Sequence, residues 1–178
     1  MIMTIDMHTH VAPRQAVKIA ESGGKWHGVE FYRDKNDKLT TSYGDLKMSL
    51  PWPKKMETPD ERLNTMDARK IDMHILSISP LMHWHGLDNA NAVAYAKDVN
   101  DDISDYASIN RNRFKSFCFL PLQDPKASVI ELERCVNSKN MLGAMVATNV
   151  NGMDWDDKEL YPVLELSLIH ISEPTRPL

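Results

Sequence analysis

Two histidines near the start of the chain have the residue type and spacing of metal ligands. His8 and His10 lie in a strand-like segment, MIMTIDMHTH, and side chains two residues apart on a strand point to the same side. Two imidazoles at a strand end can bind one divalent ion. The alternative is a pair of histidines satisfied by hydrogen bonds. The same alternation predicts that Met3, Ile5 and Met7 form an apolar face covered by helices.

The elements that must position these histidines follow from an alternation of strand-like and helix-like segments. Strands are predicted over residues 2–8, 73–79, 115–120 and 142–148. Helical signals fall between them, which is the pattern of βα units with a parallel sheet, an α/β fold. Residues 20–57 interrupt this pattern and are predicted to form a long excursion after the first strand, not a second domain.

Capping signals and an apolar stripe mark three of the helices. Thr58, with Pro59 next and Glu61 three residues on, is typical of a capping box, and Asp124 followed by Pro125 is typical of another helix start. Between them, apolar residues at three- and four-residue steps predict a helix over residues 89–109. The residues of this stripe are Val93, Ala96, Val99, Ile103 and Tyr106.

The composition excludes several classes of protein. Of the 178 residues, 42% are apolar and 26% are charged, and the formal net charge is -4. These values are typical of a globular domain and give no positive surface for nucleic acid or an anionic membrane. No stretch approaches the about 20 apolar residues of a membrane span, so a cytoplasmic location is expected. Cys118 and Cys135 lie outside any zinc-binding spacing and are predicted to be reduced core thiols.

Three stretches resemble the amidohydrolase-related family that includes aminocarboxymuconate-semialdehyde decarboxylase and other metal-dependent decarboxylases and hydratases. They are IDMHTHVAP from Ile5, ERLNTMDARKIDMHILSISP from Glu61, and RFKSFCFLPLQDPKASVIELERCV from Arg113, continued by TNVNG and DDKELYPVLE. The resemblance implies a (β/α)₈ TIM-type barrel in which His8 and His10 are the first two metal ligands. It also implies that a third ligand histidine, a catalytic histidine and an aspartate lie beyond Glu165. For such a nitrogen-rich shell with one carboxylate, Zn²⁺ is the first expectation and Mn²⁺ the second.

The last residues of the chain do not resemble this family. Residues 166–178, LSLIHISEPTRPL, resemble the in-frame translation of a DNA sequencing adapter. We therefore expect residues 1–165 to be the N-terminal, truncated half of a barrel domain and residues 166–178 to be non-native. His170 is accordingly not expected to be a ligand.

The resemblance implies that the full-length parent is a metal-dependent carboxy-lyase acting on an unsaturated or aromatic carboxylic acid, or a hydrolase. The chain as written is expected to be inactive, and a homodimer is an expectation of the family only. One alternative is a half-barrel ligand-binding module that dimerises to close its sheet. Another is a complete enzyme of a different His-x-His barrel class, such as a phosphoesterase, for which we find no convincing ligand set.

Five further residues are candidates for substrate binding. Arg14 can pair with a carboxylate, although an exposed, solvated arginine is the alternative. Trp84 and His85 follow the second predicted strand in a loop, where they are expected at the rim of a pocket. Asn149 and Asn151 follow the fourth predicted strand, where they either hydrogen-bond substrate or form a turn.

Overall fold

The computed structural model describes residues 3–49 and 58–171. Its strands are β1 Ile5–Val11, β2 Gly24–Trp26, β3 Val29–Arg33, β4 Leu39–Tyr43, β5 Leu46–Ser49, β6 Met73–Ile78, β7 Phe114–Ser116, β8 Asn149–Val150 and β9 Met153–Asp154. Its α-helices are α1 Arg14–Ser22, α2 Pro59–Arg69, α3 Asn89–Ser108, α4 Pro125–Lys139 and α5 Tyr161–Ile171, with short 3₁₀ helices at Pro80–Met82 and Lys158–Leu160. None of the helices within these ranges is long and apolar enough to cross a membrane.

A parallel sheet of three strands, in the order β1-β6-β7, forms the centre of the molecule. His10 pairs with Ser77 between β1 and β6, and His74 pairs with Phe114 between β6 and β7. Helices α2 and α3 occupy the connections between successive strands. The prediction of parallel βα units is thereby confirmed, and the carboxyl ends of the three strands meet at one edge.

The predicted helix starts are confirmed by their hydrogen bonds. At α2, the Thr58 hydroxyl accepts from the backbone N–H of Glu61 at 3.3 Å, and the Glu61 carboxylate accepts from the N–H of Thr58 at 2.8 Å. At α4, the Asp124 carboxylate accepts from the N–H of Ala127 at 3.0 Å. Helix α3 buries its predicted stripe except for Val93, whose side chain is exposed.

Replacing Asp124 with alanine is expected to lower the free energy of unfolding by about 1 kcal/mol, because the first turn of α4 loses its side-chain cap. Urea denaturation followed by circular dichroism measures this change. Lys126→Ala is the control, because Lys126 is exposed in the first turn of the same helix. Equal unfolding midpoints for the two variants would contradict the capping role.

The excursion after the first strand contains a second, antiparallel sheet that the sequence analysis did not predict. Its strands run in the order β2-β3-β4-β5. The turn between β2 and β3 consists of His27 and Gly28, with φ of 48° and 83°, the combination typical of a type I′ hairpin turn. Trp26 attaches this sheet to α3, since its ring centroid lies 5.0 Å from that of Tyr95. The excursion therefore packs against α3, and its assignment to the same domain stays a prediction.

Two predictions about the central strands are wrong. Residues 142–148 form no strand, and only one parallel bridge, between Cys118 and Ala144, occurs there. The face of β1 that was predicted to be helix-covered is exposed in the described structure, with Met3 58%, Ile5 45% and Met7 61% exposed. Among the described elements, β1 is in substantial contact with β6 alone, and β6 adjoins its backbone edge, which leaves this face uncovered.

The predicted boundary between residues 165 and 166 falls inside α5, where the Leu166 side chain belongs to the core. Residues 172–178 lie outside the described ranges. The assignment of residues 166–178 to a non-native tail therefore stays a prediction.

Candidate metal centre and its histidine cluster

The rings of His8 and His10 lie side by side at the carboxyl end of β1. Their centroids are 5.1 Å apart and their planes make an angle of 76°. The His8 side chain is exposed, whereas His10 is half-buried. The backbone N–H of His8 donates to the Asp6 carboxylate at 3.0 Å, at the point where the pairing of β1 with β6 shifts register. The pair remains adjacent despite this irregularity.

A serine on the neighbouring strand orients the His10 ring. Ser77 Oγ lies 3.3 Å from the carbonyl oxygen of Thr9 and 3.1 Å from His10 Nδ1. Because a carbonyl can only accept, the Ser77 hydroxyl donates to Thr9 and accepts from an N–H at His10 Nδ1. This tautomer leaves the lone pair of His10 Nε2 available to a metal ion, which is the usual arrangement around metal-binding histidines.

A buried arginine fixes the backbone at the same position. Arg62 on α2 donates from Nη2 to the carbonyl oxygen of His10 at 3.1 Å and from Nε to the Tyr106 hydroxyl at 3.2 Å. The guanidinium carbon also lies 5.8 Å from the centre of the Tyr106 ring. Helices α2 and α3 thus hold the end of β1 in place.

The electrostatic environment keeps His10 uncharged. Burial lowers the pKa of His10, and the neighbouring His8 lowers it further, while backbone groups of Ile78 and Ser77 offset part of the effect. A metal ion requires the neutral form of histidine. The environment of His10 therefore suits a ligand.

A second pair of histidines follows β6, the strand that pairs with β1. His83 and His85 follow β6 in the predicted loop, with ring centroids 5.7 Å apart and an interplanar angle of 77°. Both rings pack on Phe119, at centroid distances of 5.0 Å and 5.7 Å. Burial lowers the pKa of His83 to about 4, with smaller contributions from His85 and His10. The effect of His10 shows that the two pairs are electrostatic neighbours.

Side chains from three other elements hold the backbone of this loop, residues 82–87. The donors are a tyrosine of α3, a glutamine that follows β7 and an asparagine of the β8–β9 turn. The bonds are Tyr95 Oη to Met82 O at 3.0 Å, Gln123 Nε2 to Trp84 O and Leu87 O at 3.3 Å each, and Asn151 Nδ2 to His85 O at 2.7 Å. The loop is therefore fixed by side-chain bonds to four of its carbonyls.

Four of the five predicted substrate-binding residues, His85 among them, lie in this loop or at the β8–β9 turn that binds it. Trp84 is 3% exposed, and its indole N–H has no acceptor in the described structure. Asn151 binds the loop as stated, with φ of 52°. Asn149 closes the β8–β9 turn, since its amide donates to Asp154 and accepts from the N–H of Gly152. The turn interpretation therefore describes the bonds of Asn149.

Arg14 is directed towards the acidic surface of α3. Its Nε lies 2.6 Å from Asp102 Oδ1 and its Nη2 lies 3.8 Å from Asp105 Oδ2. The backbone N–H of Arg14 also donates to Asp102. Carboxylates of the chain itself therefore already pair with this guanidinium, and binding of a substrate carboxylate by Arg14 stays a prediction.

The described residues supply an incomplete set of metal ligands. Within residues 3–49 and 58–171, no group of three or more His, Cys, Asp or Glu side chains is arranged to hold a metal ion. His8 and His10 fit the chemistry of a nitrogen-rich site, because their rings are adjacent and Ser77 orients one of them. Any further ligand must come from outside this arrangement.

Comparison with known proteins identifies the family. The sequence profile described as amidohydrolase matches residues 5–167. The chain belongs to the amidohydrolase family. The resemblance in the sequence is thereby confirmed, and so is the barrel-type α/β fold, since its structural relatives are amidohydrolase-type barrel enzymes.

Two curated amidohydrolase relatives are decarboxylases. The chain is 28% identical over 165 residues to 2-amino-3-carboxymuconate-6-semialdehyde decarboxylase of Dictyostelium discoideum, covering 92% of the chain and 45% of the relative. It is 37% identical over 91 residues to γ-resorcylate decarboxylase of Rhizobium radiobacter, covering 51% of the chain and 28% of the relative. The chain thus spans less than half the length of these relatives.

Solved structures show the same fold. A dihydroxybenzoic acid decarboxylase from Polaromonas sp. JS666, with bound manganese and the inhibitor 2-nitroresorcinol, superposes with a TM-score of 0.68 at 22% identity, covering 96% of this chain and 47% of that one. The apo form of IDCase from Metarhizium anisopliae gives a TM-score of 0.75 at 21% identity, covering 94% and 48%.

Sequence reasoning missed the residues that support the histidines. Ser77, Arg62 and Gln123 are ordinary residues of a strand, a helix and a loop, and no spacing marks them. Their roles depend on which strands and helices become neighbours. The sequence does predict the strand that carries Ser77, but nothing in it shows that this strand pairs with the strand of His10.

Proposed function

We propose that this chain contributes the first two metal ligands, His8 and His10, of a metal-dependent decarboxylase that acts on an aromatic or unsaturated carboxylic acid. The observation that carries the proposal is the adjacent pair of rings at the end of β1, one of them oriented by Ser77. The decarboxylase relatives support the reaction class. Zn²⁺ suits a nitrogen-rich site, and the manganese in the Polaromonas enzyme supports Mn²⁺ as the alternative.

The chain's own residues would hold and shape the site. His8 and His10 would bind the ion, which when bound would supply Lewis acidity towards a substrate oxygen. Ser77 holds the proton at His10 Nδ1, and Arg62 fixes the backbone that carries His10. Trp84 lies in the loop that we propose as one wall of the substrate pocket, with His85 and Asn151 beside it.

With two ligands among its described residues, the chain is proposed to bind metal and acid without releasing carbon dioxide. Isothermal titration of the chain with 2,6-dihydroxybenzoate, in the presence and absence of Zn²⁺ or Mn²⁺, tests binding. Mass spectrometry of ¹³C-carboxyl-labelled acid tests release of labelled carbon dioxide. Binding that is independent of metal would contradict the proposed role of His8 and His10, and release above the protein-free rate would contradict the proposed inactivity.

Replacing Ser77 with alanine is expected to weaken binding of Zn²⁺ about ten- to a hundred-fold, because the ring of His10 loses the group that fixes its tautomer. Titration of the metal with calorimetric detection measures the change. Ser128→Ala is the matched control, since the Ser128 hydroxyl is buried in α4 without a hydrogen-bond partner in the described structure. Equal metal affinities for both variants would remove Ser77 from the site.

A non-catalytic ligand-binding module is the second candidate. The observation that favours it is an apolar cleft of about 580 Å³ beside β7, α4 and α5 that contains none of the histidines. Phe117, Leu142, Trp155 and Val163 are among its walls. If this candidate is correct, an environment-sensitive dye will bind the chain equally well with and without metal, and His8→Ala will not change its affinity. A dependence on metal would instead support the decarboxylase proposal.

A further inference from the structure

The second histidine pair carries polar atoms that the structure leaves without partners. His83 Nε2 and both ring nitrogens of His85 are buried and make no hydrogen bond of normal geometry within the described residues, and the Gln123 side chain is the polar neighbour of His85. A buried polar group without a partner lowers stability and is uncommon in folded proteins. The metal role proposed for His8 and His10 uses neither residue. The metal role therefore does not explain why this pair has buried ring nitrogens without partners.

Side-chain hydrogen bonds hold the backbone of the loop that carries His83 and His85, and a solvated surface loop does not require such bonds. Tyr95, Gln123 and Asn151 come from three different elements and bind four of its carbonyls. This bonding fixes the backbone from Met82 to Leu87, so the positions of both imidazoles are set before any ligand arrives. Such preorganisation lowers the entropic cost of binding.

The surroundings define what kind of group could bind. Phe119 packs on the rings of His83 and His85, whereas hydrogen bonds to imidazole form in the plane of the ring. A half-turn of either ring about its Cβ–Cγ bond exchanges the positions of nitrogen and carbon atoms without movement of the backbone. Burial lowers the pKa of both histidines, although the Gln123 side chain offsets part of the effect at His85. Each histidine therefore stays neutral near pH 7 and suits an uncharged partner.

We propose that His83 and His85 form a specificity-determining pair that hydrogen-bonds an uncharged polar substituent of the acid, a hydroxyl or a ring N–H. The proposal rests on the proposed function, in which the ion is held by the pair on β1, the strand next to β6. A neutral imidazole accepts from such a group at one nitrogen and can donate from the other. An acid without the substituent leaves these nitrogens unpaired, which is the basis of discrimination.

Calorimetric titration of the Zn²⁺-loaded chain with benzoate and with 2-, 3- and 4-hydroxybenzoate tests the proposal. At least one hydroxybenzoate is expected to bind about ten-fold more tightly than benzoate, the effect of one well-formed hydrogen bond. His83→Phe and His85→Phe retain a ring against Phe119 but remove the nitrogens. Each is expected to reduce the preference to about two-fold or less while benzoate still binds.

His27→Asn is the matched control, because His27 lies in the β2–β3 turn, pairs with Asp98, and has a positive φ that asparagine tolerates. It should keep the wild-type preference. The inference is overturned if benzoate binding depends on metal but no hydroxybenzoate is preferred over benzoate. It is also overturned if that preference persists in both phenylalanine variants. Either result leaves the proposed function intact. Absence of metal-dependent binding of every acid overturns both.

A second measurement requires no variant. In the ¹⁵N-histidine-labelled chain, the ring resonances of two histidines other than His8 and His10 should shift with the preferred hydroxybenzoate and stay in place with benzoate. Identical shifts with both acids would contradict the hydrogen bond.

Discussion

Replacing His10 with alanine is expected to weaken binding of Zn²⁺ or Mn²⁺ about a hundred-fold or more, because one of two available nitrogen ligands is lost. His8→Ala should have a comparable effect, since the two rings lie side by side. Calorimetry for Zn²⁺ and electron paramagnetic resonance for Mn²⁺ measure the affinities. The buried surroundings of His10 add to the effect, because they keep the ring neutral and ready to bind a cation.

His27→Asn provides the reference for this comparison, since it removes a histidine that lies in the β2–β3 turn and pairs with Asp98. The variants must also remain folded, which the near-ultraviolet circular dichroism of the buried tryptophans reports. If the His10→Ala chain binds Zn²⁺ as tightly as the His27→Asn chain does, the end of β1 is not the metal centre.

Local sequence signals were sufficient to predict the elements that depend on local chemistry. Thr58, Glu61 and Asp124 cap helices because their side chains reach backbone groups three residues away, a distance that is fixed by the sequence itself. The predicted bounds of strand β6 agree with the structure to within one residue. This strand is easy to recognise because turns bound it and it is buried along most of its length. Helix α3 was predicted within one residue of its end.

Elements that depend on distant partners could not be predicted in the same way. The segment over residues 142–148 has the composition of a strand, but only Ala144 forms a bridge to the neighbouring segment at Cys118. The hairpins over residues 24–49 have short strands with mixed polar and apolar residues, and their turn at His27–Gly28 was the main available signal. Whether residues 166–178 are native also depends on information outside the fold, which sequencing of the source DNA without transposase adapters would supply.

In the candidate site, too, local sequence determines some features and distant partners determine others. The spacing of His8 and His10 predicted that their rings would be neighbours, because a strand alone sets that relation. The proximity of His83 to His10 arises from the parallel pairing of β1 with β6 and from the loop that follows β6. No local pattern carries that information, so the loop histidines were expected at a pocket rim, and their buried ring nitrogens were not foreseen.

Acidification of the metal-free chain is expected to destabilise it between about pH 6.5 and pH 4, with His83 as a principal cause. The pKa of His83 is lowered to about 4 in the folded chain by burial, by His85 and by His10. Between these pH values the unfolded chain binds the proton and the folded chain does not, so stability falls as pH falls. At 1.36 kcal/mol per pH unit, the loss that is due to His83 alone amounts to about 3 kcal/mol.

His83→Phe should remove this part of the pH dependence. Near pH 7 the variant is expected to be about 1 kcal/mol more stable than the wild type, because a buried nitrogen without a partner is replaced by carbon. Towards pH 4 its advantage should grow by about 3 kcal/mol, since the variant has no imidazole to protonate at this position. Carboxylates that titrate in this range contribute equally to both chains and cancel in the difference.

Urea denaturation at half-unit pH intervals measures the stability of both chains against pH. Parallel curves would show that His83 binds protons equally in the folded and unfolded chains. A variant that is less stable than the wild type near pH 7 would show that His83 contributes to stability, contrary to the role in recognition that its unpaired nitrogen indicates.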